Sequence, residues 1–229
     1  MSIVLSSRLQ KIADYVPDGS RVIDVGTDHA YIPIWLLQTG RSDTVTAADV
    51  RPGPLSRAAS DAERAGVSDR LRLVLTDGLC GVSPESVDCI IIAGMGGETI
   101  IHILSAAPWA LDKHLILQPQ SKIGELRAWL GENGCAISDA SLVYDTGRIY
   151  LVWKIARGCM RSAPAVDPVL IEKRDRLLKP YAEDQIKRIR KQLAGKESAV
   201  AADPQELTSL RARLDAFLNL YEEVCTWQA

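Results

Sequence analysis

Acidic residues follow three apolar runs of the sequence that have the composition of short buried strands. Asp24 and Asp28 flank the turn after the first run, Asp49 ends the second, and Asp77 follows the third. Because the carboxyl ends of parallel strands meet at one edge of a sheet, we expect these carboxylates to line a ligand crevice. Each one alone could instead cap a helix or form a turn. Their recurrence at successive strand ends is what indicates a binding site.

Asp49 is the candidate for binding the ribose of an adenosine-containing cofactor. The interval from Gly26 to Asp49 matches the roughly 20 residues that separate the first turn from the acidic residue in such sites. A carboxylate at this point can accept hydrogen bonds from both ribose hydroxyls. Val50 lies beside it, and Asp77, followed by Gly78, is placed to accept from the adenine amine.

The first turn, Gly26-Thr27-Asp28-His29, lacks the further glycines of a dinucleotide-binding turn. Those glycines let a pyrophosphate approach the backbone, so their absence disfavours NAD. S-adenosylmethionine has no pyrophosphate, and its sulfonium and amino groups are positive, which suits carboxylates. We therefore expect Asp24, Gly26, Thr27 and Asp28 to bind S-adenosylmethionine.

A second glycine-rich segment follows the fourth apolar run and reads Ala93-Gly94-Met95-Gly96-Gly97. Its few side chains leave carbonyls and amides to line a pocket that could admit a flat base or a methyl group. We assign Gly94 and Met95 to the cofactor and Gly96 and Gly97 to the substrate. The segment could alternatively form a phosphate-binding nest at a helix start. Gln118, after the fifth run, could read the edge of a nucleobase.

Alternation of apolar strand-like runs with helical runs predicts an α/β fold with a mostly parallel sheet. The predicted strands are Arg21–Val25, Thr44–Asp49, Leu71–Leu75, Val87–Ala93 and Leu115–Gln118. The predicted helices are residues 4–16, Ile32–Thr39, Pro54–Ala65, Glu98–Ala106 and Ile123–Glu132. The runs Ala136–Val143 and Gly147–Ile155, separated by Tyr144-Asp145-Thr146, are expected to form an antiparallel hairpin at one edge.

The composition changes to glycine, serine, alanine and proline over residues 157–167, which indicates a linker. We therefore predict two domains, residues 1–160 and 161–229. In the second, helices Pro168–Leu193 and Pro204–Thr226, joined by a turn over Ala194–Asp203, are expected to fold back as an antiparallel hairpin. The second helix has the apolar spacing of a coiled-coil seam.

Composition excludes several classes of protein. The five cysteines include no Cys-x-x-Cys pair and are odd in number, which argues against a zinc site and a disulfide framework, and we predict no metal. The N-terminal residues lack the pattern of a signal peptide, and no apolar run approaches the roughly 20 residues needed to span a bilayer. We expect a cytoplasmic protein without a membrane partner. A net charge of −2 does not identify the partner, and a monomer is favoured.

Four segments of the sequence are distinctive when taken together: Leu5-Ser6-Ser7-Arg8-Leu9, Asp24-Val25-Gly26-Thr27-Asp28-His29-Ala30-Tyr31-Ile32-Pro33, Ala93-Gly94-Met95-Gly96-Gly97 and Leu117-Gln118-Pro119-Gln120. Their combination resembles one enzyme family, the bacterial TrmK-type tRNA (adenine-N1)-methyltransferases. The resemblance implies a class I Rossmann-like methyltransferase domain, a C-terminal helical hairpin, S-adenosylmethionine as cofactor and methylation of N1 of adenine 22 in tRNA. Thr27 and Arg51 depart from the family's usual residues.

Under this resemblance, Asp28 and His29 are the candidate catalytic residues. Asp28 would place a carboxylate near the base, and His29 would orient the base or the cofactor, although it could instead be a structural residue of the turn. Arg8 and Tyr31, with Gly96, Gly97 and Gln118, are expected to contact the substrate. The predicted RNA-backbone contacts are Arg8, Lys11, Lys187, Arg188, Arg190 and Lys191. The cations of the predicted helix Pro168–Leu193 could also be an ordinary solvated face.

Two other functions fit the same sequence. One is an S-adenosylmethionine-dependent methyltransferase of another substrate, such as a protein or a small molecule. The other is a non-catalytic RNA-binding protein with a degenerate Rossmann-like site. Binding of S-adenosylmethionine would distinguish the second, and methylation of an unmodified tRNA would distinguish the first.

Overall fold

The computed structural model describes residues 2–160, 166–198 and 203–227 of the chain. The chain divides into two compact units, residues 1–163 and 164–229. Part of the predicted linker, residues 161–165, lies outside the described residues. The two units are an α/β unit and a helical unit.

A seven-stranded sheet forms the centre of the α/β unit. Its strands are β1 (Val22–Val25), β2 (Val45–Asp49), β3 (Leu71–Leu75), β4 (Cys89–Gly96), β5 (His114–Ser121), β6 (Cys135–Asp145) and β7 (Arg148–Arg157). They lie in the order β3-β2-β1-β4-β5-β7-β6. Strands β1 to β5 are parallel, and β7 runs antiparallel to both β5 and β6. This arrangement confirms the predicted Rossmann-like fold with an antiparallel edge hairpin.

Among the described residues of the α/β unit, five helices accompany the sheet. They are α1 (Ser7–Asp14), α2 (Tyr31–Gln38), α3 (Pro52–Ala65), α4 (Gly97–Ala106) and α5 (Ile123–Glu132), with short 3₁₀ turns at Pro84–Ser86 and Pro108–Asp112. All four residues of β1 are buried, as are the first four of β4, as expected of strands covered on both faces. Strands β2 and β3 lie on one side of β1, and the chain then crosses to the other side of β1 to form β4. The carboxyl ends of β1 and β4 therefore form the topological switch point, where open α/β sheets bind ligands.

Several element bounds in the α/β unit differ from prediction, and two of these differences change the local structure. The fourth strand does not end at Ala93, because the chain continues alongside β5 and pairs Gly96 with Ser121 after an irregularity between Ala93 and Met95. The edge hairpin does not turn at Tyr144-Asp145-Thr146. Its turn is Thr146-Gly147, whose φ angles are both positive, +46° and +81°, as in the tight turns that match the twist of two antiparallel strands.

The helical unit contains α6 (Pro168–Glu172), α7 (Leu178–Glu197) and α8 (Pro204–Thr226). The prediction of one helix over Pro168–Leu193 is wrong, because the chain breaks at Arg174, whose φ is +49°. The Asp175 carboxylate then accepts a hydrogen bond of 2.9 Å from the Leu177 amide just before α7. The predicted turn begins later than Ala194, since α7 extends to Glu197, and residues 199–202 lie outside the described residues.

Helices α7 and α8 pack against each other. Lys196 pairs with Glu206 at 2.5 Å near one end, and Lys179 lies 5.9 Å from the centre of the Tyr221 ring near the other. Later residues of α7 thus meet earlier residues of α8, so the helices run antiparallel. The predicted coiled-coil character of the seam stays a prediction. Within the described parts of both units, no helix has the length and apolar character needed to cross a bilayer.

Candidate active site

A cleft of about 390 Å³ opens at the switch point, at the carboxyl ends of β1 and β4. Its wall brings together residues from α1, the β1–α2 turn, β4 and β5. Eight residues predicted from the sequence lie in this wall: Arg8, Asp24, Gly26, Thr27, Asp28, His29, Tyr31 and Gly94. Residues far apart in the chain thus converge on one space.

Asp24 is the buried carboxylate of the cleft. It is only 8% exposed, and burial raises its pKa to about 6. A hydrogen bond from the Thr27 side chain opposes this increase, and the negative charge of Asp49 adds to it. A carboxylate held in this way favours a positively charged ligand, which would offset the cost of keeping the charge out of water.

The turn after β1 is fixed to β2 through its backbone. The Gly26 and Thr27 amides donate to the Ala48 carbonyl at 2.8 and 3.1 Å. Gly26 has a φ of +79°, and a Cβ atom at this position would lie 2.1 Å from Met95 Cε. The backbone conformation therefore favours glycine at this position, and any side chain here would also displace the end of the flexible Met95 side chain.

Asp28 and His29 lie on the open side of the turn. Asp28 is 63% exposed in its side chain, and its Oδ1 accepts from Arg57 Nε at 3.1 Å and from Arg57 Nη2. This interaction lowers the pKa of Asp28. His29 Nδ1 lies 2.8 Å from Asp61 Oδ2, and its Nε2 lies 3.9 Å from Asp28 Oδ2. The His29 ring stacks on Tyr31 with centroids 5.1 Å apart and planes at 8°.

Arg8 reaches the cleft from α1 and is held there by its neighbours. Its Nη1 donates to Gln118 Oε1 at 2.9 Å, and its guanidinium lies 5.0 Å from the centre of the Tyr150 ring. The Asp145 carboxylate accepts from Ser6 Oγ at 2.6 Å and from the Arg8 amide at 3.3 Å, which ties the start of α1 to the edge hairpin. Gln118 is buried behind the cleft wall, where its side chain accepts from Arg8 and donates to the Pro119 carbonyl at 3.2 Å.

The ends of β2 and β3 carry the other predicted cofactor residues. Asp49 is buried and accepts from the Arg51 amide at 2.8 Å. Val50 is an exposed apolar residue directly after β2, and Leu75, also exposed, ends β3 beside it. Apolar side chains at this edge offer a surface for a flat ring.

Asp77 is exposed after β3, whereas Gly78 is buried. A Cβ atom on Gly78 would lie 3.0 Å from Ile103, and one on Gly97 would lie 2.4 Å from the Lys122 carbonyl oxygen. One on Gly96 would lie 2.9 Å from Ser121 Oγ. Their missing side chains therefore allow close packing of α4 in this structure.

The remaining cations predicted to contact RNA lie in two different units of the protein. Lys11 lies on α1 and pairs with Asp14 at 3.9 Å. The others are exposed on α7, away from its buried Ile186 and Ile189: Lys187, Arg188, Arg190 and Lys191. Arg188 pairs with Asp184 at 2.8 Å within the helix. These cations are part of the helical unit.

Sequence reasoning missed the residues that hold the turn from outside. Arg57 and Asp61 of α3 contact Asp28 and His29, and Tyr150 of β7 supports Arg8. Gln120 also lies in the cleft wall. The only signal was the spacing of Arg57 and Asp61 on one face of α3, which by itself is typical of a solvated helix face. Among the described residues, no cluster of three or more His, Cys, Asp or Glu could hold a metal.

Residues 5–153 match the protein family described as methyltransferase domain. The chain belongs to this family. It is 35% identical over 150 residues to the tRNA (adenine(22)-N(1))-methyltransferase of Bacillus subtilis. The alignment covers 65% of this chain and 63% of that protein, which is slightly less than two thirds of its length.

Two solved structures resemble the chain over almost its whole length. The B. subtilis m1A22 tRNA methyltransferase TrmK is 26% identical with a TM-score of 0.83, covering 96% of this chain and 100% of that chain. A Streptococcus pneumoniae protein, solved in complex with S-adenosyl-L-methionine, is 27% identical with a TM-score of 0.83. This match covers 95% of the present chain and 100% of the S. pneumoniae chain. The resemblance of the sequence to the TrmK-type family is confirmed.

Proposed function

We propose that this chain is an S-adenosylmethionine-dependent methyltransferase that modifies N1 of adenine 22 in tRNA. The observation that carries the proposal is the buried Asp24 carboxylate at the switch point, in a cleft whose turn lacks pyrophosphate-binding glycines. Such a site fits a cationic, pyrophosphate-free nucleoside. The proposed substrate comes from the B. subtilis relative, which is a tRNA (adenine(22)-N(1))-methyltransferase and shares the fold of this chain.

The residues present fit S-adenosylmethionine, which when bound supplies an electrophilic methyl group on a sulfonium. Asp24 suits the ammonium of the methionine part because it is a buried carboxylate. Asp49 suits the ribose hydroxyls, and the exposed Val50 suits the adenine face. The sequence predicts Arg8 as an RNA contact, but its position in the same cleft as Asp24 favours the methionine carboxylate, which a guanidinium can bind in bidentate fashion.

The open side of the cleft suits the target base. Adenine N1 has an in-plane lone pair, so the protein mainly has to orient the base, and the product ring is cationic. Asp28 is kept ionised by Arg57 and lies in the cleft wall, where its charge would stabilise the developing positive charge. The stacked rings of His29 and Tyr31 lie next to it and offer an aromatic surface for orienting the base.

Exposing a base from folded tRNA costs a few kcal/mol of unstacking. Contacts to the phosphates elsewhere can offset this cost. We assign this role to the exposed cations of α7, Lys187, Arg188, Arg190 and Lys191. We also propose a cytoplasmic location, which a tRNA substrate and five free cysteines would suit.

Methylation of an unmodified tRNA transcript tests the proposal. The full-length protein is incubated with the transcript and S-adenosylmethionine carrying an isotopically labelled methyl group, and the digested nucleosides are separated. Labelled 1-methyladenosine is expected. Calorimetric titration with S-adenosylmethionine identifies the alternatives: heat without tRNA methylation indicates another substrate, and absence of heat indicates a degenerate site.

A further inference from the structure

Helix α3 presents charged side chains to the β1–α2 turn from one face. Arg57, Asp61 and Arg64 are spaced four and three residues apart, which places them on the same side of the helix. Arg57 bonds to Asp28, and Asp61 bonds to His29. Both candidate catalytic residues are thus held by α3, which comes after β2 in the chain.

Asp61 is mostly removed from water, with a side chain that is 11% exposed. Burial acts to raise its pKa, but the hydrogen bonds from His29 and Arg64 outweigh burial, and the pKa of Asp61 is lowered. An ionised carboxylate has no proton to donate and can only accept. Asp61 Oδ2 at 2.8 Å from His29 Nδ1 therefore requires a proton on Nδ1.

With the proton on Nδ1, the neutral ring has its lone pair on Nε2, at the opposite edge. That atom lies 3.9 Å from Asp28 Oδ2, and both residues line the cleft. Arg57 occupies Oδ1 of Asp28 and keeps this carboxylate ionised. The cleft therefore presents two neighbouring hydrogen-bond acceptors, one from His29 and one from Asp28.

We propose that Asp61 is a positioning residue that fixes His29 with an unprotonated Nε2, so that His29 and Asp28 together accept from the exocyclic amine of the target adenine. This inference rests on the proposed function and adds a basis for its specificity. The adenine amine carries two N–H donors, which match two acceptors. Guanine has a carbonyl oxygen in place of this amine. That oxygen has no proton to donate, so it would face the two acceptors without forming a hydrogen bond.

Nitrogen NMR of histidine-labelled protein tests the positioning step without any activity. The chain has three histidines, His29, His102 and His114, and the spectrum of His29→Gln identifies the His29 signals. The wild-type protein above neutral pH is expected to carry the His29 proton on Nδ1. Asp61→Ala should shift it partly to Nε2, whereas Glu63→Ala, which removes an exposed carboxylate from the same helix, should not. A wild-type His29 protonated on Nε2 would overturn the inference.

Discrimination between two transcripts tests the specificity step. One transcript carries adenine at the target position and the other carries purine, which lacks only the amine. Asp61→Ala should reduce the preference for adenine over purine by about tenfold, the discrimination expected from a hydrogen-bonded base contact. Glu63→Ala should retain the wild-type preference. The N1 atom of purine is less basic than that of adenine, which lowers its methylation rate in every variant. This difference cancels when the adenine-to-purine rate ratio of a variant is divided by that of the wild type.

The outcomes separate the inference from the function on which it depends. If the wild-type protein methylates the adenine transcript and Asp61→Ala keeps the full preference, the inference is wrong while the proposed function stands. If the wild-type protein methylates neither transcript, the proposed function is wrong and the inference falls with it. Thermal unfolding of each variant shows whether it is folded, and the wild-type NMR result decides the tautomer even if Asp61→Ala does not fold.

Discussion

The β1–α2 turn and the exposed face of α7 use charge in opposite ways. In the turn, Asp24 is buried at a cost, and Asp28 and His29 are each held by a partner from α3. On α7, four cations extend into solvent from one helix, and Arg188 pairs with the nearby Asp184 of the same helix. The turn fixes the positions of a few groups, whereas α7 concentrates charge on a surface.

This difference predicts different kinds of defect. A group that must meet one atom of a ligand loses most of its effect when it is removed or moved by 1 Å. A cation that attracts a phosphate backbone contributes a small, additive and salt-dependent share of the binding energy. Substitutions in the turn should therefore change one step strongly, and substitutions on α7 should change RNA affinity moderately.

The largest effect is expected for Asp28→Ala. Removing the carboxylate that faces the developing cation should lower kcat by about 10²- to 10³-fold. Single-turnover assays on tRNA transcript measure this. Glu132→Ala removes an exposed carboxylate from α5 and should retain wild-type kcat. Near-normal turnover of Asp28→Ala would remove Asp28 from the mechanism.

Asp24→Asn should weaken the binding of S-adenosylmethionine by about 10²-fold, the range for breaking a buried charge pair. Because the pKa of Asp24 is about 6 in the free protein, wild-type affinity should rise as the pH increases from 5 to 7 and the carboxylate ionises. The variant should show no such rise. Calorimetric titrations across this range measure both, with Asp43→Asn, an exposed site, as the control.

The raised pKa of Asp24 also sets the sign of a stability effect. The folded protein binds this proton more tightly than the unfolded chain, so stability falls as the pH rises between about 4 and 6. Asp24→Asn should therefore unfold at a higher temperature than wild type at pH 7, and the difference should shrink towards pH 4. A variant less stable than wild type at pH 7 would contradict this account of the buried charge.

Neutralising the α7 face should have an intermediate effect. Replacing Lys187, Arg188, Arg190 and Lys191 together by glutamine should raise the KM for tRNA about tenfold at moderate salt and reduce its salt dependence, because fewer counterions are released. The kcat at saturating tRNA should not change. Glutamines in place of the exposed Glu222 and Glu223 of α8 should not raise KM. An unchanged KM in the first variant would assign α7 to another role.

The smallest effect is expected for alanine substitutions at two glycines with positive φ, whose losses of unfolding free energy can be compared. Gly26→Ala combines backbone strain with a collision at Met95, whereas Gly40, with φ of +71°, has open space where a Cβ would lie. Gly40→Ala should cost about 1 kcal/mol of unfolding free energy, and Gly26→Ala should cost a similar amount, because the end of the flexible Met95 side chain can move aside. Urea unfolding measures both. A loss at Gly26 that exceeds the loss at Gly40 by about 1 kcal/mol or more would show that Met95 is held in place.

The fold was predictable where the sequence pattern of apolar residues matches the face that each element buries. The bounds of β3, α5 and α8 match the predicted bounds because apolar spacing and proline or glycine signals coincide there. The break at Arg174 was not predictable, since the surrounding charged residues are compatible with helix. Glycines after Ala93 indicated a loop, but pairing with β5 extends the strand to Gly96.

The candidate site was predictable to the extent that one turn contains it. Asp24, Gly26, Asp28 and His29 are adjacent in the sequence, so their proximity follows from a single strand-to-helix connection. The support from Asp61 depends on how α3 crosses the sheet, and a charged residue on an exposed helix carries no sequence signal for that. Tyr150 depends in the same way on the pairing of the edge hairpin with β5.

Replacement of the single nucleotide at position 22 of the substrate tests whether the enzyme is specific for adenine at that position. Methyl transfer from S-adenosylmethionine is measured on two tRNA transcripts that differ only at position 22, adenine in one and guanine in the other. The adenine transcript should be methylated, with the label recovered as 1-methyladenosine at that position, and the guanine transcript should not be methylated. Equal methyl incorporation into both transcripts would contradict this specificity.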